Sequence, residues 1–213
     1  MSDTLDRDGV RAWIISFLEA FRTAQATLDD LDRRSGDGDF GSNLLPAIER
    51  VQRELDAAPG ASASEAFKTL SSQFMAAGGT SGPLFGVWFR EFARASAASE
   101  SGDLDRAALA AGAAKGLAAV QGLGNAGVGD KTMVDAMTPV ADALADAAAQ
   151  TRGLGDDLAA AAAAARQGAD TTADLLARRG RASYVGEVSR GVSDPGAEAV
   201  AMFFEAAVGS LAS

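Results

Sequence analysis

The sequence contains no cysteine and no histidine among its 213 residues. The lack of cysteine excludes disulfides and thiolate metal sites, and it agrees with a reducing cytoplasm. The lack of histidine excludes a His–Ser or His–Cys nucleophilic pair, a His-ligated zinc ion and an imidazole base. Any chemistry must therefore use carboxylates, hydroxyls, lysine, arginine, backbone amides or a group that a partner supplies.

Other features that the sequence lacks limit the class of protein. No apolar run approaches the about 20 residues needed to span a bilayer, and the acidic start "MSDTLDRDGVRAW" lacks the apolar segment of a signal peptide. The net charge of −10 argues against a nucleic-acid-binding protein, which normally carries a basic surface. We therefore predict a cytoplasmic protein with neither membrane nor nucleic acid as a partner, folded as a single domain over residues 1–213.

Helical periodicity dominates the chain. Apolar residues recur every three or four positions, as on one buried helix face, in the segments 10–31, 44–55, 67–74, 133–144 and 200–211. The stretch "LFGVWFREF" is apolar almost all round, which predicts a central helix. The alanine-rich stretch 158–179 predicts another, because alanine has the highest helix propensity. No segment alternates at period two, so we predict an all-α fold of roughly eight helices.

The loops between these helices alternate in character. Short connections make neighbouring helices antiparallel, so every second loop emerges at the same end of an up-and-down bundle. The odd loops are "LDRRSGDGDFGS", "AGGTSGP", "GLGNAGVGDKT" and "GRASYVGEVSRGVSDPG". The even loops, "AAPGASAS", "ASESGD" and "TRGLGDD", resemble ordinary connectors. Every glycine-dense loop therefore falls at one end, here called the odd-loop end, which predicts a composite site there.

The first odd loop carries three carboxylates, those of Asp32, Asp37 and Asp39. A site of oxygen ligands suits magnesium, manganese or calcium rather than zinc. Without a cation, two carboxylates about 4 Å apart repel by about 4 kcal/mol at an effective dielectric constant near 20. An EF-hand is disfavoured, because Ile48 occupies the twelfth position from Asp37, where a glutamate is required. A solvated acidic turn is the alternative to a metal site.

Magnesium usually binds through carboxylates together with substrate phosphates, so a phosphate-binding loop is expected at the same end. The segment "GGTSGP", residues 78–83, fits that role. Its glycines allow close backbone approach, Thr80 and Ser81 offer hydroxyls, and Pro83 stands where a helix begins. A simple tight turn is the alternative interpretation.

The later odd loops offer further candidates, each with a structural alternative. Asp194 and Pro195 are suited to cap and begin a helix. Lys131 could meet a phosphate, although a solvated lysine is the simpler reading. Met133 could border an adenine, although methionine at helical spacing usually belongs to the core. Arg181 could clamp a phosphate through two nitrogens.

Two more arginines precede that position. Arg178 and Arg179 follow the alanine-rich stretch, and a helix dipole favours cations at its C-terminus. We therefore predict that both residues lie in the last turn of that helix.

Taken in order, four motifs resemble a known family. The motifs "LDxxxGDGDxGxN", "GGTSGPLFG", "GDKTMVDAMTP" and "GRASYVGEVSRGVSDPGA" are similar to those of the nucleotide-binding L subunit, or L domain, of dihydroxyacetone kinases. The similarity runs from about Asp32 to Ala197. Four ordered motifs make it far more specific than any one of them alone.

The resemblance implies an eight-helix antiparallel barrel that binds ADP or ATP at one end. It implies that Asp32, Asp37 and Asp39 hold two magnesium ions against the phosphates. The nucleotide-binding residues that it implies are Phe40, Gly41, Ser42, Asn43, Thr80, Ser81, Gly124, Met133, Arg181, Asp194, Pro195 and Gly196. Of these, Gly124 and Met133 would border the base, and Arg181 would contact phosphate.

The resemblance also implies a partner. In the family, a separate K subunit holds the ketose covalently through a histidine, which this chain lacks. The chain would then be the ADP- or ATP-binding subunit of a kinase for dihydroxyacetone or a related small ketose such as erythrulose, active only with a K-type partner. The phosphoryl source could be ATP, or a phosphotransferase-system protein that rephosphorylates bound ADP.

Three positions depart from the family pattern. Phe40 and Val192 stand where the family usually has histidine, and Val188 stands where an arginine is common, with Arg190 close enough to replace it. These departures motivate a second hypothesis, a non-catalytic adaptor that senses nucleotide. A third hypothesis is a metal-dependent barrel that acts alone as a phosphatase.

Overall fold

The computed structural model describes residues 4–99, 102–148, 153–184 and 186–211. Within these ranges the chain forms eight α-helices: α1 Arg7–Ser35, α2 Phe40–Ala57, α3 Ala63–Met75, α4 Ser81–Ala98, α5 Arg106–Gly124, α6 Val134–Ala148, α7 Leu154–Thr171 and α8 Pro195–Leu211. Two short strands, β1 Thr4–Leu5 and β2 Leu104–Asp105, form one antiparallel pair. The predicted all-α fold is confirmed, and two-residue strands are too short to produce a period-two pattern. None of the described helices is long and apolar enough to cross a membrane.

The eight helices form a closed ring. Each helix packs against the next one along the chain, and α8 packs against α1 to complete the circuit. Several helices begin with an N-cap at the end of the ring that carries the even loops, here called the even-loop end. These caps define where each connecting loop gives way to a helix. Asp6 accepts a hydrogen bond from the Gly9 amide at 2.9 Å, and Ser62 and Glu65 form a capping box. The odd loops therefore meet at the opposite end.

Aromatic side chains fill the interior of the ring. Phe203 of α8 lies at the centre, with ring-centroid distances of 4.5 Å to Trp13, 5.3 Å to Phe17, 5.1 Å to Trp88 and 5.2 Å to Phe89. The Trp13 indole nitrogen also donates a hydrogen bond to the Phe203 carbonyl at 2.6 Å. This packing joins α1, α4 and α8 in a solid core, so the cavity described below is confined to one end.

Small residues bring α6 and α7 into close contact. A Cβ atom at Gly168 would lie 2.5 Å from the Asp135 carbonyl oxygen, so only glycine fits this crossing. The α7 helix ends at Thr171, well before the predicted end at residue 179, and a 3-10 turn, Thr172–Asp174, follows. The prediction that Arg178 and Arg179 lie in the last helical turn is therefore wrong. Val185, the side chain of Leu211 and residues 100–101 and 149–152 of two even loops lie outside the described residues.

Candidate metal and nucleotide site

A cavity of about 570 Å³ opens at the odd-loop end of the ring. Residues from all four odd loops line it, which is the arrangement that the alternation of loops predicted. The predicted site residues that line it are Asp32, Asp37, Asp39, Phe40, Asn43, Thr80, Ser81, Gly124, Met133, Arg181, Asp194, Pro195 and Gly196. Two other predicted contacts, Gly41 and Ser42, do not line the cavity.

Three aspartates converge on one wall of the cavity. One carboxylate oxygen from each of Asp32, Asp37 and Asp39 lies within 4.8 Å of the other two. The Asp32 Oδ2 atom accepts hydrogen bonds from the amides of Gly38, Asp39 and Phe40 at 2.9–3.1 Å. The Gly38 backbone has φ of +79°, a left-handed conformation that glycine adopts readily. The turn is therefore held by one aspartate so that all three carboxylates face each other.

This set of donors fits a hard divalent cation. Three carboxylates and the absence of nitrogen or sulfur ligands match the preference of magnesium for oxygen. In the four-residue turn between α1 and α2, a glycine and three backbone amides hold the like charges close together. Their mutual repulsion is offset only by a cation or a cationic group. Part of that charge is met by Arg181, whose guanidinium forms an ion pair with Asp37. Arg181 thus already lies beside the carboxylates.

A fourth aspartate, Asp29, explains why Gly41 and Ser42 face away from the cavity. Asp29 is buried on α1 and accepts hydrogen bonds from the Ser42 amide at 3.0 Å and the Ser42 hydroxyl at 2.6 Å. Burial by itself raises the pKa of Asp29, but the hydrogen bonds from Ser42, Gly41 and Gln25 outweigh it and hold the pKa below its ordinary value. The first amides of α2 are therefore already occupied by carboxylates from α1.

The start of α4 is different. Thr80 occupies the N-cap position with no side-chain hydrogen bond to the helix, and Ser81 is the first helical residue. Both residues line the cavity. Gly79, with φ of +77°, turns the chain just before them. The first amides of a helix carry partial positive charge, so this uncapped start is the best anion site that the cavity offers.

Part of the cavity lining is apolar. Leu84, Val120, Leu123, Gly124 and Met133 line this part of the cavity. A Cβ atom at Gly124 would lie 3.4 Å from the Leu84 side chain, in ordinary van der Waals contact, so these two residues adjoin in this part of the lining. A flat apolar ring fits such a surface, whereas phosphates fit the acidic and α4 side. The cavity therefore has a chemically distinct position for each half of a nucleotide.

Lys131 is buried, with 2% of its surface exposed, so the prediction of a solvated lysine is wrong. Its Nζ atom donates hydrogen bonds to the carbonyl oxygens of Thr172 and Val192. Burial lowers the pKa of Lys131, partly opposed by the nearby carboxylates of Asp194, Asp135 and others. No local pattern could reveal this contact, because both carbonyls come from a distant segment.

Asp194 caps α8 as predicted. Its Oδ2 atom accepts a hydrogen bond from the Ala197 amide at 2.8 Å. The pKa of Asp194 is raised to about 7, chiefly by burial; the Ala197 amide and Lys131 oppose the shift, and the carboxylates of Asp135 and Asp32 add to it. A carboxyl group in this position responds strongly to any cation that enters the cavity.

The other arginines between α7 and α8 hold that segment in place. Arg179 pairs with Asp130 at 3.3 Å, and the Arg178 amide donates to the Asp130 carbonyl at 3.0 Å. Arg190 pairs with Glu187 and does not line the cavity, so the structure does not place it as the replacement for the family arginine. Phe40 and Val192 are both buried, and Val188 is exposed.

Comparison with known proteins identifies the family to which this chain belongs. The DAK2 domain family matches residues 34–209, and the chain belongs to this family. The predicted resemblance to the L subunit of dihydroxyacetone kinases is confirmed.

Two bacterial relatives match along almost their whole length. The ADP-binding subunit DhaL of PEP-dependent dihydroxyacetone kinase 1 from Listeria innocua is 34% identical over 204 residues, which cover 95% of this chain and 96% of the relative. The corresponding DhaL subunit from Escherichia coli K12 is 35% identical over 198 residues, covering 92% of this chain and 93% of the relative.

Longer relatives contain an equivalent of this chain as one part. An L-erythrulose 1-kinase from Mycolicibacterium smegmatis is 37% identical, over 91% of this chain and 34% of the relative. The crystal structure of the dihydroxyacetone kinase from C. freundii in complex with AMP-PNP and Mg2+ superposes with a TM-score of 0.69 at 28% identity. The alignment covers 99% of this chain and 35% of that one, so the chain spans about a third of the solved kinase.

Proposed function

We propose that this chain, as a single domain over residues 1–213, is the ADP- or ATP-binding subunit of a kinase for dihydroxyacetone or a related small ketose. One observation carries the proposal above the others. The three clustered aspartates and the uncapped start of α4 face the same cavity, one suited to cations and the other to phosphates. The DhaL relatives that match along their full length support the same activity.

Asp32, Asp37 and Asp39 would hold magnesium, and we propose two ions. When bound, the metal supplies positive charge that polarises the phosphate oxygens and offsets the negative charge of the transferring group. Two ions bring four positive charges against three carboxylates, which leaves a net attraction for a polyphosphate of about −3 to −4. The solved neighbour that contains AMP-PNP and Mg2+ supports this pairing of nucleotide and metal.

The remaining lining residues would contact different parts of the nucleotide. Thr80 and Ser81 would donate to the phosphates, with the α4 amides behind them. Arg181, beside Asp37, would stabilise charge on the same phosphates, and Asp194, Pro195 and Gly196 would close the site. Phe40, Asn43, Gly124 and Met133 would border the nucleotide. Catalysis by such a site consists mostly of orientation and electrostatic stabilisation.

The acceptor must come from elsewhere, because no histidine is available to hold a ketose covalently. We propose a K-type subunit that docks on the odd-loop end and brings the ketose to the phosphates. The surface around the cavity supports this placement. Among the residues whose side chains the structure describes, the exposed large hydrophobic ones all lie on elements of this end: Met75, Leu123, Val128, Tyr184 and Val188. Exposed apolar side chains gathered at one end are typical of a protein interface.

The activity test is reconstitution. The purified chain, a K-type subunit, magnesium, ATP and dihydroxyacetone or erythrulose should together give a phosphorylated ketose, while omission of either protein gives none. A parallel reaction with bound ADP and a phosphotransferase-system donor identifies the phosphoryl source. No product with any donor, ketose or K-type subunit would contradict the proposal.

The adaptor hypothesis remains the second candidate, favoured by the exposed Val188 in place of a common family arginine. It predicts tight binding of magnesium and nucleotide without phosphorylation of a ketose in the reconstituted reaction. The phosphatase hypothesis predicts release of phosphate from ATP or a phosphate ester by the chain alone. The same assays, run with and without the partner, separate all three.

A further inference from the structure

We infer that Lys131 is a positioning residue that fixes the segment between α7 and α8, residues 172–194, in the geometry needed for phosphate binding; this segment contains most of the last odd loop. This inference rests on the proposed function. Lys131 lies in the third odd loop, yet its ammonium group binds the carbonyls of Thr172 and Val192. These two residues stand near the start and the end of the segment between α7 and α8. One buried cation therefore holds together the two ends of the segment that carries Arg181.

Other hydrogen bonds join the same two ends of this segment, here called its neck. The Thr172 hydroxyl accepts from the Asp194 amide at 2.8 Å, and the Gly191 amide donates to the Ala173 carbonyl at 2.8 Å. Asp194 in turn caps α8 and lines the cavity. Because the ammonium group, the hydroxyl and the cap are connected in series, displacement of Lys131 displaces Asp194 and the start of α8.

The third odd loop is shaped to direct Lys131 inward. Lys131 has a left-handed backbone with φ of +61°, which is uncommon for a residue with a side chain. The turn is held by Asp135, which accepts hydrogen bonds from the amides of Gly129 and Thr132. A strained residue fixed by its surroundings is typical of a functional site.

The ammonium group does not need to touch the nucleotide to act. Lys131 lines the cavity, but two of its three N–H donors bind carbonyl oxygens and the residue is only 2% exposed, so most of its donor capacity is engaged in the protein. Removing the ammonium group would take one donor from each carbonyl: the Thr172 carbonyl would keep only the Leu175 amide at 3.2 Å, and the Val192 carbonyl would lose the donor described for it. This loss favours separation of the two ends of the segment. The consequence would be a misplaced Arg181 and Asp194, and therefore weaker binding of the phosphates.

The natural absence of cysteine allows a test at the level of one functional group. Lys131→Cys is alkylated in the unfolded state with 2-bromoethylamine, which rebuilds an ammonium group of nearly the same length, or with 1-bromopropane, which gives a neutral chain. Both forms are refolded, and Mg-ADP affinity is measured by calorimetry. Trypsin cleavage after Arg178, Arg179, Arg181 and Arg190, all exposed, reports opening of the loop. Lys115→Cys, at an exposed position on α5, receives both treatments as the control.

We expect the propylated Lys131→Cys form to bind Mg-ADP at least about tenfold more weakly and to be cleaved faster in residues 178–190. The aminoethylated form should recover both properties, and both Lys115→Cys forms should match the unsubstituted protein. Lys131→Met needs no alkylation or refolding, so it serves as a second neutral variant. It should show the same weaker binding and faster cleavage as the propylated form.

Three results would overturn the inference. In the first, the propylated form binds Mg-ADP and resists trypsin as the unsubstituted protein does. In the second, the aminoethylated form binds as weakly as the propylated form. Weaker binding with unchanged cleavage would instead assign Lys131 to direct contact with phosphate. If the unsubstituted protein does not bind Mg-ADP at all, the proposed function fails, and trypsin cleavage alone still decides whether Lys131 holds the loop.

Discussion

Arg181 of the last odd loop forms an ion pair with Asp37 of the first, across the mouth of the cavity. This contact joins the two loops that are farthest apart in sequence among the four. It places a guanidinium group directly beside a carboxylate that we assign to metal binding. Phosphates bound to that metal would therefore lie within reach of Arg181.

The aspartate cluster gives the first prediction. Asp37→Asn keeps the size of the side chain and removes one negative charge from the proposed metal site. We expect Mg-ADP affinity to fall by about tenfold or more, measured by isothermal titration calorimetry. The control is Asp30→Asn, an exposed aspartate on α1 that pairs with Arg33. Equal affinity of Asp37→Asn and the unsubstituted protein would remove Asp37 from the site.

The second prediction concerns Arg181. Arg181→Gln removes the cation next to the proposed phosphate position, so loss of affinity should depend on the number of phosphates. We expect ADP to bind about tenfold more weakly and adenosine to bind almost unchanged. Arg34→Gln, an exposed cation in the last turn of α1, serves as the control. An equal loss for adenosine and ADP would show that Arg181 acts on the fold and not on phosphate.

The turn before α4 gives the third prediction. Gly79 has φ of +77°, so Gly79→Ala introduces backbone strain and should lower the free energy of unfolding by about 1 kcal/mol. Because this turn directs the start of α4 to the cavity, Mg-ADP affinity should fall as well. Gly60→Ala is the control, since a Cβ atom there has open space and no positive φ. Denaturant unfolding measures the stability, and calorimetry measures the Mg-ADP affinity. If both are unchanged in Gly79→Ala, this account of the turn is contradicted.

Asp194 gives the fourth prediction, which concerns pH. Its pKa is about 7 in the folded protein against an ordinary value of 3.8, so the folded state holds this proton more tightly than the unfolded state. The stability contributed by that proton is present below about pH 4 and is lost as pH rises through about 7. In metal-free protein, Asp194→Asn should therefore flatten the fall in stability over this interval.

Thermal unfolding between pH 4 and 8 in a chelating buffer measures the effect. Asp105→Asn makes the same chemical change at the N-cap of α5, at the end of the ring away from the cavity, and serves as the matched control. If Asp194→Asn keeps the slope of the unsubstituted protein, then the Asp194 carboxyl does not hold its proton as described.

The arrangement of the site followed from the sequence because it depends on repeated local signals. Helical periodicity gave the number of helices, and the alternation of plain and glycine-rich loops placed the site at one end. The cap at Asp194 was predictable for the same reason, since a helix start is encoded by adjacent residues. The convergence of the three aspartates was predictable because they lie within eight positions of one chain segment.

The sequence could not show contacts between distant segments. Gly41 and Ser42 were predicted to bind nucleotide, but Asp29 on the preceding helix engages the Ser42 amide and hydroxyl. Lys131 was interpreted as solvated, because its two carbonyl partners belong to another loop. The end of α7 was placed too late, since alanine propensity continues where tertiary packing stops the helix at Thr171.

The most direct test of the central claim is a crystal structure of the chain grown with Mn2+ and ADP, with the metal located by anomalous scattering. The account predicts metal peaks bonded to oxygens of Asp32, Asp37 and Asp39 and to the ADP phosphates, with the phosphates against the start of α4. Metal bound elsewhere, or ADP outside the cavity at the odd-loop end, would contradict it.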